Sequence, residues 1–245
     1  MNAVTFDLIG VLTTIPRPET VLFEKERREY YIFETLIKRY DISRAQFDHA
    51  LKTTYSTINF ERETRRFDYG VSRLTNLLLT NLSLVPEYSV RVSIEQAFVN
   101  SVFELQLEPR KEAIPILKEI KRDQYNLGLI VNTLFSSGDA FREIVVNNLG
   151  MGFLFDSMVF SNEVGFLKPH DLIFDTAQRD LGIENPKDVI HIGDNPVTDI
   201  EGAMKASFRS IFFRNGRYPK NDLIEADFEI SNLNELPDLL KQITW

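Results

Sequence analysis

Three aspartates stand where a carboxylate could take part in chemistry. Asp7 directly follows a short β-prone segment at residues 3–6, and Asp194 and Asp199 lie five residues apart after an apolar segment at residues 189–193. Either place alone is typical of a turn or a helix cap. Three carboxylates that meet at one edge of a sheet would instead form the oxygen-rich kind of site that Mg²⁺ prefers. The sequence therefore predicts a magnesium site organised around Asp7.

Two further polar positions follow predicted strands. Asn132 and Thr133 come at the end of a β-prone segment at residues 128–132, and Lys168 precedes Pro169 and a helical segment. Ligands of parallel sheets bind at the carboxyl ends of the strands. Taken alone, Lys168 would be an ordinary solvated lysine, but beside the aspartates its ammonium can compensate their charge. We therefore expect these side chains to converge on one site.

The elements that must position these residues alternate along the second part of the chain. After residue 108, β-prone segments alternate with helical ones, which predicts a parallel sheet with crossover helices. The strand at residues 3–6 has too little partner sequence to stand alone and should join this sheet. We predict the other strands at residues 128–132, 157–161, 189–193, 210–213 and 228–230. Helices are predicted at residues 111–121, 138–149, 169–181 and 199–206.

A long helical stretch separates the first strand from the rest of the sheet. From about Pro18 to Asn100 the sequence is charged and helix-patterned, without convincing β alternation. Inside this stretch, helical patterning is clearest at residues 24–37, 43–55, 71–79 and 90–105. We therefore predict an α/β core at residues 1–15 and 105–245, with an all-α cap inserted at residues 16–104.

Composition narrows the class of ligand. The formal charge of −8 argues against binding to nucleic acid or to an acidic membrane, since both call for a basic surface. A neutral or metal-compensated small molecule fits better.

The sequence contains no cysteine, which rules out disulfides, thiolate metal sites and a cysteine nucleophile. This suits a reducing cytosol, and no signal peptide or membrane-spanning run is visible, so we expect a cytoplasmic protein. The sequence carries no signal of oligomeric state.

Four segments, in this order, resemble the motifs of the haloacid dehalogenase superfamily. Each is weak alone, but their order and spacing together are specific. They are residues 6–12 (FDLIGVL), 129–133 (LIVNT), 164–169 (VGFLKP) and 190–195 (IHIGDN), the last followed by Asp199 and the pair Gly202 and Ala203. The resemblance implies a hydrolase with a Rossmann-like, three-layer parallel-sheet core. It also implies a helical cap of the C1 type between the first and second motifs, where the helical stretch lies.

The resemblance also implies a role for each matching residue. Asp7 would be the nucleophile that attacks an electrophilic phosphorus or carbon atom. Lys168 and Asn132 would orient and neutralise the nucleophile and the substrate. Asp194 would bind Mg²⁺ together with Asp7, with Asp199 in support. The backbone carbonyl of Ile9 would be a further ligand of the metal.

The chain departs from the family pattern at two positions. Family phosphatases carry a second aspartate two residues after the nucleophile, which protonates the leaving group and later activates water; here that residue is Ile9. A positioned acid or base contributes about 10² to 10⁴-fold to rate, or about 3 to 5 kcal/mol of barrier. A Ser or Thr usually precedes the motif asparagine, where this chain has Val131. Thr133 lies on the same side of the strand as Val131 and is a candidate partial replacement in catalysis and substrate binding.

Three hypotheses of function follow. The first is a Mg²⁺-dependent phosphatase restricted to substrates with good leaving groups, such as aryl phosphate esters or acyl phosphates. The second is a 2-haloacid dehalogenase-like hydrolase, with Arg39 or Arg44 of the cap as the carboxylate-binding residue. The acid pair Asp194 and Asp199 favours the first, because dehalogenases of the family lack it. The third is a catalytically weak member that acts as a binding or regulatory protein.

Two other sets of residues receive a structural interpretation. His191 lies inside an apolar strand, and no spacing among the three histidines indicates zinc. Arg62, Arg65 and Arg66 form a basic cluster that is more typical of a solvated helix face, with contact to an anionic substrate as the alternative.

Overall fold

The computed structural model describes residues 2–218 and 224–245 of the chain. They form an α/β fold around one parallel sheet of six strands in the order β3-β2-β1-β4-β5-β6. The strands are β1 (Ala3–Phe6), β2 (Asn126–Val131), β3 (Ser157–Phe160), β4 (Val189–Gly193), β5 (Arg209–Phe213) and β6 (Phe228–Ile230). The predicted fold class and all six predicted strands are confirmed, with bounds that differ by at most two residues.

Strand β1 lies inside the sheet, paired with β2 on one side and β4 on the other, and all four of its residues are buried. Its last residue, Phe6, is in register with Leu129 of β2 and Ile192 of β4. The backbone N–H of Asp7 continues this ladder by donating to the carbonyl of Ile192 at 2.9 Å. The carboxyl ends of β1, β2 and β4 therefore meet at one edge of the sheet.

Helices cover both faces of the sheet and make three layers. Alternate residues of each strand point to opposite faces, so Val4 and Phe6 join one hydrophobic cluster and Ala3 joins the other. The first cluster is covered by α5 (Ala113–Arg122), α6 (Gly138–Glu143) and α10 (Leu236–Gln242). The second is covered by α8 (Asp171–Asp180) and α9 (Gly202–Lys205), while the single turn α7 (Ser161–Val164) follows β3.

Two predicted helices differ in form from the expectation. The segment predicted as a helix at residues 138–149 is α6 followed by a wider π-helical turn at Ile144–Asn148. The helix predicted at residues 199–206 begins earlier, with a π-helical turn at Pro196–Glu201. It begins there because the side chain of Asn195 accepts the N–H groups of Val197 and Thr198 and so caps the helix start.

The segment between β1 and β2 is helical, as predicted. It contains α1 (Pro18–Ile37), α2 (Arg44–Arg65), α3 (Gly70–Asn81) and α4 (Tyr88–Asn100), followed by a 3₁₀ turn at Ser101–Leu105. We call α1 to α4 the helical block. It has its own hydrophobic core, which includes Ile32, Phe47, Leu74 and Phe98. The boundaries at residues 16 and 104 stay a prediction.

Within residues 2–218 and 224–245, every helix is too short or too polar to cross a lipid bilayer.

Four buried polar side chains join the helical block to the core. We call Arg62, Asp68, Thr133 and Ser161 the polar junction. The carboxylate of Asp68 accepts hydrogen bonds from the hydroxyls of Ser161 at 2.5 Å and Thr133 at 3.1 Å, and it lies 3.5 Å from Arg62. Arg62 also donates to the backbone carbonyl of Leu134. The interpretation of Arg62 as part of a solvated face is therefore wrong, because its guanidinium is buried between helical block and core.

Backbone hydrogen bonds strengthen the same contact. The segment after α2 runs antiparallel to the segment before Lys168, with Phe67 opposite Phe166. Asp68 N–H donates to the carbonyl of Gly165 at 2.9 Å, and Leu167 N–H donates to the carbonyl of Arg66 at 2.7 Å. The helical block thus holds the chain directly before Lys168.

Removing the carboxylate of the polar junction should be costly. Asp68→Ala leaves Arg62 buried without its counter-charge and takes one acceptor from the hydroxyls of Ser161 and Thr133. We expect a loss of about 3 to 5 kcal/mol in the free energy of unfolding, as for other broken buried ion pairs. Chemical denaturation measures this loss. Glu63→Ala changes an exposed acid on α2 and is the matched control, with an expected change within about 0.5 kcal/mol. Equal stability of the two variants would contradict the interpretation.

Candidate active site

The ammonium of Lys168 lies between two aspartates at the carboxyl edge of the sheet. Its Nζ is 2.7 Å from Asp7 Oδ1 and 2.6 Å from Asp199 Oδ1. Lys168 is buried, Asp199 is buried, and Asp7 keeps limited access to solvent. The turn after β1 supplies Asp7, the segment before α8 supplies Lys168, and the turn after β4 supplies Asp199. The structure therefore brings together three of the residues that the sequence predicts for the site.

Asp194 completes a cluster of carboxylates that could hold a metal ion. One oxygen from each of Asp7, Asp194 and Asp199 lies within 4.8 Å of the others. Oxygens on opposite sides of a Mg²⁺ ion lie roughly 4.2 Å apart, since each lies about 2.1 Å from the metal. Three carboxylates also outnumber the single buried ammonium of Lys168. The donor set and the local charge both fit a hard divalent cation.

Burial and the neighbouring charges control ionisation at this site. Burial raises the pKa of Asp7 to about 7, although Lys168 opposes the shift. Burial disfavours the charged form of Lys168, yet Asp199 and Asp7 raise its pKa above the usual range. Burial also opposes ionisation of Asp199, but Lys168 and His191 hold the pKa of that carboxyl below its usual range. Lys168 and Asp199 therefore form a permanent ion pair, while Asp7 is the group that titrates near neutral pH.

A buried histidine contacts Asp199. His191 Nε2 lies 3.4 Å from Asp199 Oδ1, and its Nδ1 lies 2.9 Å from the hydroxyl of Thr5. Burial lowers the pKa of His191, so the neutral ring donates to Asp199 and accepts from Thr5. The backbone N–H of Asn195 donates to the second oxygen of Asp199 at 3.0 Å. This arrangement accords with the structural interpretation of His191.

Two glycines let the backbone approach the carboxylates closely. Gly10 has a φ of 94°, and a Cβ atom there would lie 2.3 Å from Asp194 Oδ2. A Cβ atom on Gly193 would lie 2.1 Å from the Cβ of Asp199. Any larger side chain at either position would therefore push one of the acids out of the cluster.

The amide of Asn132 holds the backbone of Lys168. Asn132 Oδ1 accepts the Lys168 N–H at 2.8 Å, and Asn132 Nδ2 donates to the Lys168 carbonyl at 3.3 Å. Both ends of the amide are thus engaged by the residue that carries the ammonium. Asn132 thus positions the residue that contacts Asp7, and its predicted contact with substrate stays a prediction.

The hydroxyl of Thr133 is engaged by other side chains of the protein. Its hydroxyl donates to Asp68 and lies 3.2 Å from the hydroxyl of Ser161, and its N–H donates to Ser161 Oγ at 2.8 Å. The geometry gives no support to Thr133 as a replacement for the missing motif hydroxyl at Val131. Thr133 belongs to the polar junction instead.

Comparison with known proteins fits this geometry. The model of a family described as haloacid dehalogenase-like hydrolase matches residues 1–207. The chain belongs to this family. The expected resemblance to the haloacid dehalogenase superfamily is confirmed, and the protein is a hydrolase.

Individual relatives of this hydrolase carry out different reactions. It is 28% identical to a glyceraldehyde 3-phosphate phosphatase of Methanopyrus kandleri, over 99% of this chain and 98% of that protein. It is also 28% identical to the pyrimidine 5'-nucleotidase YjjG of Escherichia coli, over 71% of this chain and 76% of that one. Among solved structures, a 2-haloacid dehalogenase from Pseudomonas syringae pv. Tomato has the same fold, with a TM-score of 0.74, 24% identity and 99% coverage of both chains.

Sequence reasoning missed two residues of the hydrolase that follow β5. Asn215 Nδ2 donates to Asp194 Oδ2 at 2.7 Å and to the carbonyl of Gly10 at 2.9 Å. Arg217 donates to the carbonyl of Ile9 at 3.1 Å and lies 3.6 Å from Asp194 Oδ2. The guanidinium thus bridges two of the predicted metal ligands. The predicted sheet could have indicated these residues, because β5 is parallel to β1 and β4 and its carboxyl end lies on the same edge of the sheet.

A cavity of about 370 Å³ lies between the helical block and the core of the hydrolase. Ile9, Asn132 and Thr133 form part of its wall. Ile9 lies two residues after Asp7, and Asn132 binds the backbone of Lys168, so the cavity adjoins the two segments that carry Asp7 and Lys168. From the helical block, its lining includes Glu24 and Arg28, which are buried and form an ion pair.

The predicted cap arginines do not belong to this cavity. Arg39 and Arg44 are exposed, and Arg44 pairs with Asp48 at 2.7 Å, so their assignment to the site is wrong. The sequence could not single out Arg28, because a helical arginine looks the same whether it is buried or solvated.

Metal binding by this hydrolase should depend on pH. Because the pKa of Asp7 is raised to about 7, Asp7 is mostly protonated at pH 6 and must lose that proton to become a ligand. We expect the dissociation constant for Mg²⁺ to be about tenfold higher at pH 6 than at pH 8. Titration calorimetry in buffers of different ionisation enthalpy measures both the affinity and the proton release. Asp7→Asn, which has no such proton, should bind more weakly but with less dependence on pH. Equal affinities at the two pH values would argue against this account.

Proposed function

We propose that this hydrolase is a Mg²⁺-dependent phosphatase of restricted substrate range, with Asp7 as its nucleophile. The observation that carries the proposal is the contact of Lys168 with Asp7 at 2.7 Å, inside a cluster of three carboxylates. In this proposal Asp7, the Ile9 carbonyl, Asp194 and Asp199 hold the metal. The helical block, with predicted limits at residues 16 and 104, acts as the cap over the site.

The chemistry follows from the hydrogen bonds of Asp7. Lys168 binds Oδ1, so Oδ2 is the atom that attacks phosphorus. The new Oδ2–P bond forms as the bond from phosphorus to the leaving oxygen breaks, and the leaving oxygen takes the electron pair. Water then attacks phosphorus, the Oδ2–P bond breaks with its electron pair returning to the Asp7 carboxylate, and the proton of the attacking water passes to a phosphate oxygen or to solvent water. A metal ion held by these carboxylates would supply positive charge that offsets the negative charge of the phosphoryl group. Lys168 keeps Asp7 oriented throughout and offsets the negative charge of the site.

Ile9 restricts the substrates of this reaction. Isoleucine cannot protonate the leaving oxygen, so only a leaving group that is stable as an anion departs readily. Phenols and carboxylic acids meet this condition, whereas simple alcohols do not. Isoleucine cannot activate water either, so the aspartyl phosphate of Asp7 should be longer-lived than in relatives that carry a second acid.

The relatives support phosphate chemistry. A protein that aligns over 99% of this chain is described as a glyceraldehyde 3-phosphate phosphatase. The dehalogenase reaction is the second candidate, because halide leaves without a proton and a dehalogenase shares the fold. The acid cluster favours the phosphatase, since displacing halide needs no metal. A binding or regulatory protein with little turnover is the third candidate.

A paired assay separates these candidates. With Mg²⁺ present, we expect phosphate release from p-nitrophenyl phosphate and from acetyl phosphate, and no halide release from a 2-haloacid. Asp7→Asn should lower phosphate release by at least about 10³-fold, because the attacking atom is lost. Release that survives this substitution would remove Asp7 as nucleophile. Halide release without metal would favour the dehalogenase, and Mg²⁺ binding without any turnover would favour the regulatory protein.

Restoring the missing acid should widen the substrate range. Ile9→Asp places a carboxylate two residues after Asp7, and we expect faster release from alkyl phosphates by up to about 10² to 10⁴-fold. Release from p-nitrophenyl phosphate should change far less, because nitrophenolate leaves without a proton. Ile15→Asp adds a carboxylate to the same cavity wall and serves as the matched control. An unchanged rate on alkyl phosphates would count against the role given to Ile9.

A further inference from the structure

We infer that the cavity beside Asp7 selects a phosphate ester with an uncharged, apolar organic group, and that an aryl phosphate fits it better than an acyl phosphate. This inference rests on the proposed phosphatase function and narrows it to one class of leaving group. The evidence for it is the set of side chains that line the cavity, of which Ile9 is only one.

The wall of the cavity is predominantly apolar. Side chains from the core and from the helical block contribute to it together, so the apolar surface surrounds the space from both sides. Its apolar members include Ile9, Ile15, Val21, Val102, Leu105 and Phe141. Such a wall gains free energy by removing apolar ligand surface from water and offers little to a polyhydroxylated or highly charged group.

Three of the four charged side chains that line the cavity are already paired, and the fourth, Lys25, is exposed. Arg28 donates to Glu24 and lies 3.4 Å from the hydroxyl of Ser101, and its guanidinium carbon lies 5.1 Å from the centre of the Phe135 ring. Arg217 is engaged by the carbonyl of Ile9 and by Asp194. These two arginines therefore have their charge offset by partners within the protein. A second anionic group that approached either arginine would have to displace one of these partners.

The size of the cavity suits one aromatic ring with a short substituent. An apolar cavity of about 150 Å³ accommodates benzene, and this cavity measures about 370 Å³. Ile9 and Asn132 lie in its wall, and Asn132 binds the backbone of Lys168, so a group held there leaves its phosphate next to Asp7. The site favours a leaving group that is stable as an anion and whose organic part is apolar. A phenol has both properties, whereas a carboxylic acid has only the first.

Binding of non-hydrolysable phosphonates tests the inference without any turnover. The probes are methylphosphonate, benzylphosphonate, and benzylphosphonates with a methyl or propyl group in the para position, titrated by calorimetry with Mg²⁺ present. We expect affinity to rise by about fourfold for each added methylene, as for burial of apolar surface. Affinity that stays flat along this series would overturn the inference. Tighter binding of para-carboxybenzylphosphonate than of the para-methyl compound would also overturn it.

A pair of variants on α1 locates the effect in this cavity. Val21 and Leu22 are both exposed to a similar degree, at 46% and 55%, so a polar substitution at either leaves the core intact. Val21 lines the cavity, whereas Leu22 is not part of its wall. Val21→Asp should lower the affinity for the propyl compound by about tenfold, because it places a charge against apolar surface. Leu22→Asp should bind it like the unmodified protein, and equal losses in both variants would contradict the assignment.

Phosphate release tests the phosphatase proposal and phosphonate binding tests the apolar cavity, so either proposal can be refuted without the other. Phosphate release from aryl and acyl phosphates with equal KM values, together with flat phosphonate binding, would refute the apolar selection and leave the phosphatase proposal standing. Chain-length-dependent binding without any phosphate release would refute the phosphatase proposal and support the apolar cavity as a ligand site.

Discussion

The buried ammonium of Lys168 lies directly between two acids of this site, and the geometry of the site depends on it. Asp7 and Asp199 both lie within 2.7 Å of Nζ, at a distance from each other that two carboxylates would not keep unaided. Without this charge, burial would protonate one of them or push them apart. The two glycines that allow close approach, Gly10 and Gly193, serve the same arrangement by leaving room for Asp194 and Asp199.

The position of Lys168 is itself set by contacts on both sides of the chain. On the core side, the amide of Asn132 binds its backbone N–H and carbonyl. On the side of the helical block, the carbonyl of Arg66 binds the N–H of the preceding residue, Leu167. The polar junction around Asp68 holds these two segments together. The placement of the helical block and the placement of the ammonium are therefore mechanically linked, although the helical block provides no group that touches Asp7 directly.

Sequence reasoning reached the parts of this arrangement that depend on local pattern. Strand period and the parallel register place Asp7, Asn132 and Asp194 at one edge, because strand ends in a parallel sheet meet there. The position of Lys168 followed from the same rule together with its motif. The sequence pattern did not predict the direction of side chains that lie beyond the strand ends. Thr133 was expected to contribute to catalysis and substrate binding, but its hydroxyl contacts Asp68 in the turn after α2 and Ser161 and Asn162 in α7. Arg28 and Arg62 could not be told from solvated arginines, since their burial depends on residues tens of positions away. The contacts of the exposed Arg217 with Ile9 and Asp194 depend on distant residues in the same way.

Ile9 changes the site in two ways that reinforce each other. It removes the proton donor that an alcohol leaving group needs, and it adds an apolar side chain to the wall of the cavity next to Asp7. An apolar wall also disfavours a bare carboxylate, in line with the raised pKa of Asp7, so the nucleophile depends more on cationic neighbours for its ionised form. Lys168 supplies one such charge, and the cluster of acids could bring a second as a bound metal. A site built this way is suited to a leaving group that is both a stable anion and apolar, because such a group needs neither the missing proton donor nor polar contacts in the cavity.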